Sequence, residues 1–158
     1  MTPYCTTTQE GVAIDGGDES LKNILLVDDD HFFLFSLARH FRRIAASLNI
    51  YTAANGKQAR SILSTVPVDL VISDLKMPVM DGMELALWLS EVHPQIPAII
   101  MSGCADPKTR ASLDQKGFPF VEKPQDQRKL FDIVHSLVSA RSGARINLTS
   151  QSSDAQKR

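Results

Sequence analysis

Residues 68–82 read VDLVISDLKMPVMDG, and this stretch predicts a buried strand that ends in a carboxylate. Its apolar run, residues 70–72, has no polar alternation, which is typical of a parallel strand buried on both faces. Asp74 therefore lies at the carboxyl end of the predicted strand. A proline and an Asp-Gly pair then break the chain into a loop before a helical pattern over residues 83–92. An aspartate in this place commonly caps a helix or forms a turn, but it is also a candidate for chemistry.

The bulk composition limits the protein to a few functional classes. The chain has 158 residues, 43% of them hydrophobic, which suits one globular domain with a single core. Its formal net charge of -1 gives no basic field, so we expect no direct binding to nucleic acid or to a membrane surface. No apolar run approaches the roughly 18 to 20 residues that cross a bilayer, and no signal-peptide pattern is present. A cytoplasmic protein is expected.

Composition also divides the chain into a domain and two tails. Residues 1–20 are polar, glycine-bearing and acidic without lysine or arginine, which predicts a disordered N-terminal tail. The folded domain is predicted over residues 21–140. Residues 141–158 carry Ser, Gly, Arg and Gln without periodicity, so they are predicted to form a disordered C-terminal tail.

Apolar runs alternate with helical patterns throughout the predicted domain. The other four strands are predicted at residues 24–27, 49–53, 96–101 and 118–121. Helices are predicted at residues 31–48, 56–66, 83–92 and 107 to about 116, followed by a last helix capped by Asp126. The sheet-facing side of the first helix is predicted to carry Phe33, Leu37, Phe41, Ile44 and Leu48. This alternation predicts an α/β three-layer sandwich built on an open, doubly wound, five-stranded parallel sheet.

Polar residues follow several of the predicted strands directly. They are Asp28 and Asp29, Asp74, Ser102 and Lys123. In a doubly wound sheet the functional crevice lies beyond the carboxyl ends of the strands, so these side chains should converge there. Crowded carboxylates raise each other's pKa unless a cation neutralises them, and oxygen ligands suit Mg²⁺. A lysine and a serine hydroxyl could hold phosphoryl oxygens, and an ionised carboxylate is a nucleophile that needs no base.

Four motifs together resemble the receiver domains of two-component response regulators. They are ILLVDDD (24–30), ISDLKMPVMDG (72–82), IIMSG (99–103) and VEKP (121–124). The resemblance covers about residues 21–139 and is specific because four motifs stand in register. It implies a flavodoxin-like fold with strand order 2-1-3-4-5. Because the polar tail is too short to fold as an output domain, the resemblance is to the stand-alone type of receiver.

The resemblance also implies a phosphorylation site and a metal site. Asp74 would be phosphorylated by a histidine kinase or a histidine phosphotransfer protein. Asp29 would bind Mg²⁺ directly and Asp28 mostly through water, while Asp74 and the backbone carbonyl of Lys76 would complete the protein ligands. Mn²⁺ would be able to replace Mg²⁺.

Three further roles follow from the same resemblance. Ser102 would hydrogen-bond the phosphoryl group, Lys123 would pair with it, and Phe120 would be the aromatic residue that moves inward as the serine is drawn toward the phosphate. The conformational change would control contacts with a downstream protein that the sequence does not identify. The expected protein is a monomer or a weak homodimer, and no turnover of a small molecule is expected.

Two aromatic residues of the first helix are predicted to point away from the sheet. The 100° helical step places Phe32 and Phe35 well off the face that carries Phe33. Exposed aromatics beside a site suggest a surface for partner docking. The alternatives are that the N-terminal tail covers them, or that they are isolated exposed residues without a role.

Two other functional classes remain open at the level of sequence. A Mg²⁺-dependent phosphohydrolase with an aspartyl-phosphate intermediate resembles this pattern, but such enzymes have a second aspartate where this chain has Lys76. A receiver-like scaffold that works without phosphorylation is the other alternative. The complete set of acidic residues, serine and lysine argues against the scaffold.

Overall fold

The computed structural model describes residues 22–45, 47–104, 106–123 and 127–140. The two predicted tails, residues 1–20 and 141–158, lie outside the described residues, and so does the predicted cap Asp126. None of the helices within the described ranges is long and apolar enough to cross a membrane.

Five strands form one parallel sheet. They are β1 (Lys22–Val27), β2 (Leu48–Ala53), β3 (Leu70–Asp74), β4 (Ala98–Ser102) and β5 (Phe120–Glu122). Their order across the sheet is β2-β1-β3-β4-β5, and each neighbouring pair is parallel. The helices between and after them are α1 (His31–Ile44), α2 (Gly56–Leu63), α3 (Gly82–Val92), α4 (Pro107–Gln115) and α5 (Gln127–Ala140). The predicted fold class and strand order are confirmed.

Helices cover both faces of this sheet. Successive residues of a strand point to opposite faces, so Ile24 and Leu26 of β1 enter one core while Leu25 and Val27 enter the other. The first core is completed by α1 and α5, and the second by α2 and α3. Leu113 of α4 packs in a smaller cluster on the β4 side of the second face. The result is the three-layer arrangement predicted from the solid apolar strands.

The first helix ends earlier than the sequence predicts. We predicted α1 to continue to Leu48, but it ends at Ile44 and the next residue, Ala45, is extended with φ -143° and ψ 105°. Leu48 instead opens β2 and pairs with Lys22. Leu48 fits the helical period by chance, and strand pairing overrides that local preference.

The last two strands begin later than the sequence predicts. The fourth strand begins at Ala98 because Ile96 N–H donates to the His93 carbonyl in a turn, 2.9 Å. The fifth begins at Phe120 because Phe118 N–H donates to the Leu113 carbonyl and closes the end of α4, 3.0 Å. The left-handed φ of 75° at Gly117 makes that closure possible.

Candidate functional site

Three carboxylates meet where β1 and β3 end. The two strands are neighbours, with Val27 opposite Ser73, so Asp28 and Asp74 emerge side by side. One carboxylate oxygen from each of Asp28, Asp29 and Asp74 lies within 4.8 Å of the others. Asp28 has no exposed surface and Asp74 is 5% exposed, whereas Asp29 is exposed. The cluster therefore has a buried floor and an open side.

Lys123 brings a positive charge into this cluster. It directly follows β5, and its backbone N–H donates to the Ser102 carbonyl, 2.9 Å. Its Nζ lies 2.7 Å from Asp28 Oδ2 and 3.1 Å from Asp74 Oδ1. The same ammonium lies 4.8 Å from the centre of the Phe33 ring. One lysine thus contacts two carboxylates and an aromatic face.

Burial acts in opposite directions on the pKa values of Asp74 and Lys123, although the net pKa of each is raised. Burial raises the pKa of the Asp74 carboxyl, and the charge of Asp28 adds to the rise, although Lys123 offsets part of it. Burial lowers the pKa of the Lys123 ammonium, but hydrogen bonding and attraction from Asp28 and Asp74 outweigh burial, so the net pKa is raised. The lysine is therefore charged at neutral pH, and among the described residues it is the cation that contacts both buried carboxylates.

The backbone around Asp74 is tightly fixed. Its Oδ2 accepts a hydrogen bond from Lys76 N–H, 3.1 Å, and Gly82 N–H donates to the Leu75 carbonyl, 2.9 Å. A Cβ at Gly82 would collide with the carbonyl oxygen of Asp74, so only glycine allows α3 to start this close to the strand end. Within the intervening loop, the exposed Val79 has a left-handed φ of 72°.

The acidic cluster fits a hard divalent cation. Oδ2 of Asp28 is buried against the Lys123 ammonium, 2.7 Å away, and the same ammonium also lies 3.1 Å from Asp74 Oδ1. Two buried carboxylates that share one positive charge are costly, and carboxylate oxygens are the ligands that Mg²⁺ prefers. Asp28, Asp29 and Asp74 would hold the ion. The cation would neutralise their charge and that of phosphate oxygens.

Ser102 lies beside the cluster, but its hydroxyl is occupied by its own loop. The residue ends β4 and is 4% exposed. Its Oγ donates to the Cys104 carbonyl, 3.1 Å, and accepts from Cys104 N–H, 3.3 Å. The predicted position of Ser102 at a strand end is therefore seen, whereas its predicted contact with a phosphoryl group stays a prediction.

Phe120 is half-buried at the start of β5. The guanidinium of Arg110 lies 5.0 Å from its ring centre and 3.6 Å from a carboxylate oxygen of Glu122. The inner side of the ring packs on the cluster that contains Leu113. The predicted switch residue thus lies between a core cluster and a cationic cover.

The exposure predicted for the two outer aromatics of α1 is present. Phe32 is 89% exposed and Phe35 is 69% exposed. Asp30 caps this helix, since its Oδ1 accepts from the N–H groups of Phe32 and Phe33 at 2.9 and 3.0 Å. Sequence reasoning assigned no role to Asp30, although an aspartate directly before a helical pattern is the usual signal of such a cap.

Residues 24–135 match the model of one protein family, described as the response regulator receiver domain. The chain belongs to the response regulator receiver domain family. Two curated relatives are the transcriptional regulatory protein GlrR of Escherichia coli, 36% identical over 113 residues, and NtrC of Salmonella typhimurium, 32% identical over 117 residues. These alignments cover 71% and 73% of this receiver domain chain, but only 25% and 24% of the two relatives.

Solved structures of other receiver domains have the same fold. A CheY-like receiver domain protein from Methanospirillum hungatei is 26% identical with a TM-score of 0.70, over 78% of this chain and all of the other. The response regulator TrrA of Thermotoga maritima, solved with Mg²⁺ and BeF, is 26% identical with a TM-score of 0.65, over 73% of this chain and 98% of that one.

The family places the chain among the signalling proteins of two-component systems, for which phosphorylation and Mg²⁺ are characteristic. The chain spans about a quarter of the length of the curated relatives described above. The roles of its individual residues, and the partners that it meets, are therefore matters for proposal.

Proposed function

We propose that this receiver domain is a switch controlled by phosphorylation of Asp74. The phosphoryl group comes from the phosphohistidine of a histidine kinase or a histidine phosphotransfer protein. The observation that carries the proposal is the position of the Asp74 carboxylate, within 4.8 Å of two other carboxylates and 3.1 Å from the Lys123 ammonium. Such a set can balance the charge of a transferring phosphoryl group.

The transfer needs no separate base. A carboxylate oxygen of Asp74 attacks the phosphorus, the bond between phosphorus and the donor's imidazole nitrogen breaks, and the bonding electrons leave with the imidazole. The nucleophile is already ionised, so no proton is removed from it. Burial raises the pKa of Asp74, and a cation on the cluster opposes that rise, which is one reason for the Mg²⁺ requirement.

Asp28, Asp29 and Asp74 would hold the Mg²⁺ or Mn²⁺ ion, and the backbone carbonyl of Lys76 would complete the protein ligands. Support comes from the buried Asp28 carboxylate, which shares the charge of Lys123 with Asp74, and from the Lys76 N–H that donates to Asp74 Oδ2. The exposed Asp29 would reach the ion from the open side of the cluster.

Phosphorylation would change the contacts of Ser102 and Phe120. The Ser102 hydroxyl would exchange its hydrogen bonds with Cys104 for one with the phosphoryl group. Phe120 would move inward, toward the space that Ser102 leaves, and away from the Arg110 guanidinium that covers its ring. The altered surface would then be recognised by a downstream protein.

The exposed aromatics of α1 would contact the phosphodonor protein. Phe32 and Phe35 expose 89% and 69% of their surface, and they lie in the first turns of the helix that starts two residues after Asp29. A partner that delivers a phosphoryl group to the site must cover this rim. A monomer or weak homodimer would leave the surface free for that partner.

Intact-mass measurement after incubation with acetyl phosphate tests the proposed function. We expect a phosphoryl-sized gain that requires Mg²⁺ and is lost in Asp74→Asn. The matched control is Asp114→Asn, which removes an exposed carboxylate of α4 and should still gain the group. A gain that persists in Asp74→Asn would contradict the proposal by showing that another residue accepts the group. No gain by a wild-type protein that binds Mg²⁺ would contradict it in favour of the phosphorylation-independent scaffold.

A further inference from the structure

Phe33 has a contact that the proposed function does not use. Its ring centre lies 4.8 Å from the ammonium of Lys123, on the first turn of α1. A cation at this distance from an aromatic face is attracted by the ring quadrupole, and the attraction is larger where water is excluded. Only a quarter of the Lys123 side chain, 25%, is exposed. The contact therefore joins α1 to the residue that follows β5.

The backbone of Phe33 is hydrogen-bonded to the acidic loop. Asp28 Oδ1 accepts from Asp30 N–H, 2.9 Å, and Asp30 Oδ1 in turn accepts from Phe33 N–H, 3.0 Å. The side chain also packs on the core cluster beneath α1. Two short hydrogen bonds thus connect the backbone of Phe33 to Asp28, the buried carboxylate that Lys123 contacts.

We propose that Phe33 is a positioning residue for Lys123. Lysine is a flexible, strongly hydrated point charge, and the carboxylates fix only the end of its stem. The aromatic face disfavours rotamers that would carry the lysine ammonium into solvent. It thereby keeps the ammonium beside Asp74 Oδ1. Phe33 itself touches no reacting atom. The inference rests on the proposed function, because it assigns Lys123 to the phosphoryl oxygens that arrive on Asp74.

Removal of the ring should reduce the fraction of molecules whose lysine is in place. In the reaction with acetyl phosphate, an Asp74 oxygen attacks phosphorus and acetate leaves with the bonding electrons. We expect Phe33→Leu to slow this step by roughly three- to tenfold at saturating Mg²⁺, the range expected from a cation–π contact. Phe33→Tyr keeps an aromatic face and should react close to the wild-type rate.

A double-mutant cycle separates positioning from general damage. In the Lys123→Met background, Phe33→Leu should cause no further slowing, because the ring has lost the charge on which it acts. Phe131→Leu is the matched control. It removes another half-buried ring of the same core cluster, which packs on Phe41 with ring centres 5.8 Å apart. This control should leave the rate near that of the wild type.

A second readout does not depend on phosphorylation. Protons above an aromatic ring are shifted upfield, so the terminal methylene protons of Lys123 should move downfield in Phe33→Leu and stay in place in Phe33→Tyr. The spectra are recorded without Mg²⁺ or phosphodonor. If the wild type gains no phosphoryl group, the proposed function fails while the spectra still decide the contact. An unchanged Lys123 signal in Phe33→Leu, or equal slowing in the Lys123→Met background, would overturn the inference.

Discussion

The ammonium of Lys123 lies 2.7 Å from Oδ2 of Asp28, a carboxylate without exposed surface. Its contact with Asp74 is longer, 3.1 Å. The lysine therefore neutralises a proposed metal ligand as well as the proposed phosphoacceptor. We expect this shared charge to couple Mg²⁺ binding, phosphorylation and stability at one edge of the sheet.

Removal of the Lys123 charge should tighten Mg²⁺ binding. The ammonium lies against two of the proposed ligands and repels a second cation at short range. We expect Lys123→Met to bind Mg²⁺ at least several-fold more tightly by calorimetric titration, even though it phosphorylates poorly. The control Lys57→Met changes the net charge equally at an exposed position of α2 and should leave the affinity unchanged. Weaker binding by Lys123→Met would show that the lysine organises the ligands.

Asp74→Asn should stabilise the fold at neutral pH in the presence of a chelator. Burial raises the folded-state pKa of Asp74 above its ordinary value of 3.8. The folded state therefore favours the protonated Asp74 carboxyl. The stability that this form contributes is fully present below the unfolded-state pKa and is lost as the pH rises through the raised folded-state pKa. Asparagine does not titrate, so thermal melts should show a higher midpoint for the variant at neutral pH and a narrowing difference as the pH falls. A lower midpoint at neutral pH would refute this reading of the site.

Asp106 should show the opposite dependence on pH. Hydrogen bonds from Thr109, first from its hydroxyl at 2.6 Å and then from its N–H, lower the pKa of this exposed cap of α4. Its stabilising effect is therefore present above the unfolded-state pKa and is lost as the pH falls through the lowered folded-state value. We expect Asp106→Asn to lower the midpoint slightly at neutral pH and to converge with the wild type in acid. A midpoint difference between Asp106→Asn and the wild type that stays constant at all pH values would contradict the lowered pKa of Asp106.

Gly82→Ala should damage both the fold and the site. Its methyl group would meet the Asp74 carbonyl oxygen, which is backbone and cannot rotate away. Forced overpacking of this kind costs roughly 1–3 kcal/mol or more in the free energy of unfolding, measured by urea titration. Phosphorylation of Asp74 should slow as well. Gly103→Ala is the matched control, because a Cβ there has no neighbour within 4 Å among the described residues. An equal loss in both variants would exclude a steric cause.

Val79→Asn should raise the free energy of unfolding by about 1 kcal/mol, because a left-handed backbone is costly for a β-branched residue and tolerated by asparagine. Val79 has a φ of 72° and exposes 77% of its surface, so little packing is lost. Val92→Asn makes the same exchange at an exposed helical position and should bring no gain. A gain in both variants would show that replacing an exposed apolar side chain, and not relieving the left-handed backbone, is the cause.

The sequence predicted the elements that a solid apolar run or a helical period defines, and the site residues that directly follow such runs. Asp28, Asp74 and Lys123 were placed together because parallel strands share one carboxyl edge. The end of α1 was predicted wrongly because Leu48 satisfies a helical period while its strand partner, Lys22, is distant along the chain. The Phe33 contact with Lys123 was not predictable for a similar reason, since no local pattern records a contact between α1 and the residue after β5.

The position of β5 at one edge of the sheet has a consequence for the order in which the site is assembled. Because β1 and β3 both precede β5 in the chain and pair with each other directly, Asp28 and Asp74 can be brought together before β5 joins the sheet. The two carboxylates then repel each other without a counter-charge until the last strand docks. We therefore expect the docking of β5 to be favoured by charge as well as by apolar contact, because the lysine that follows this strand supplies the positive charge that Asp28 and Asp74 share.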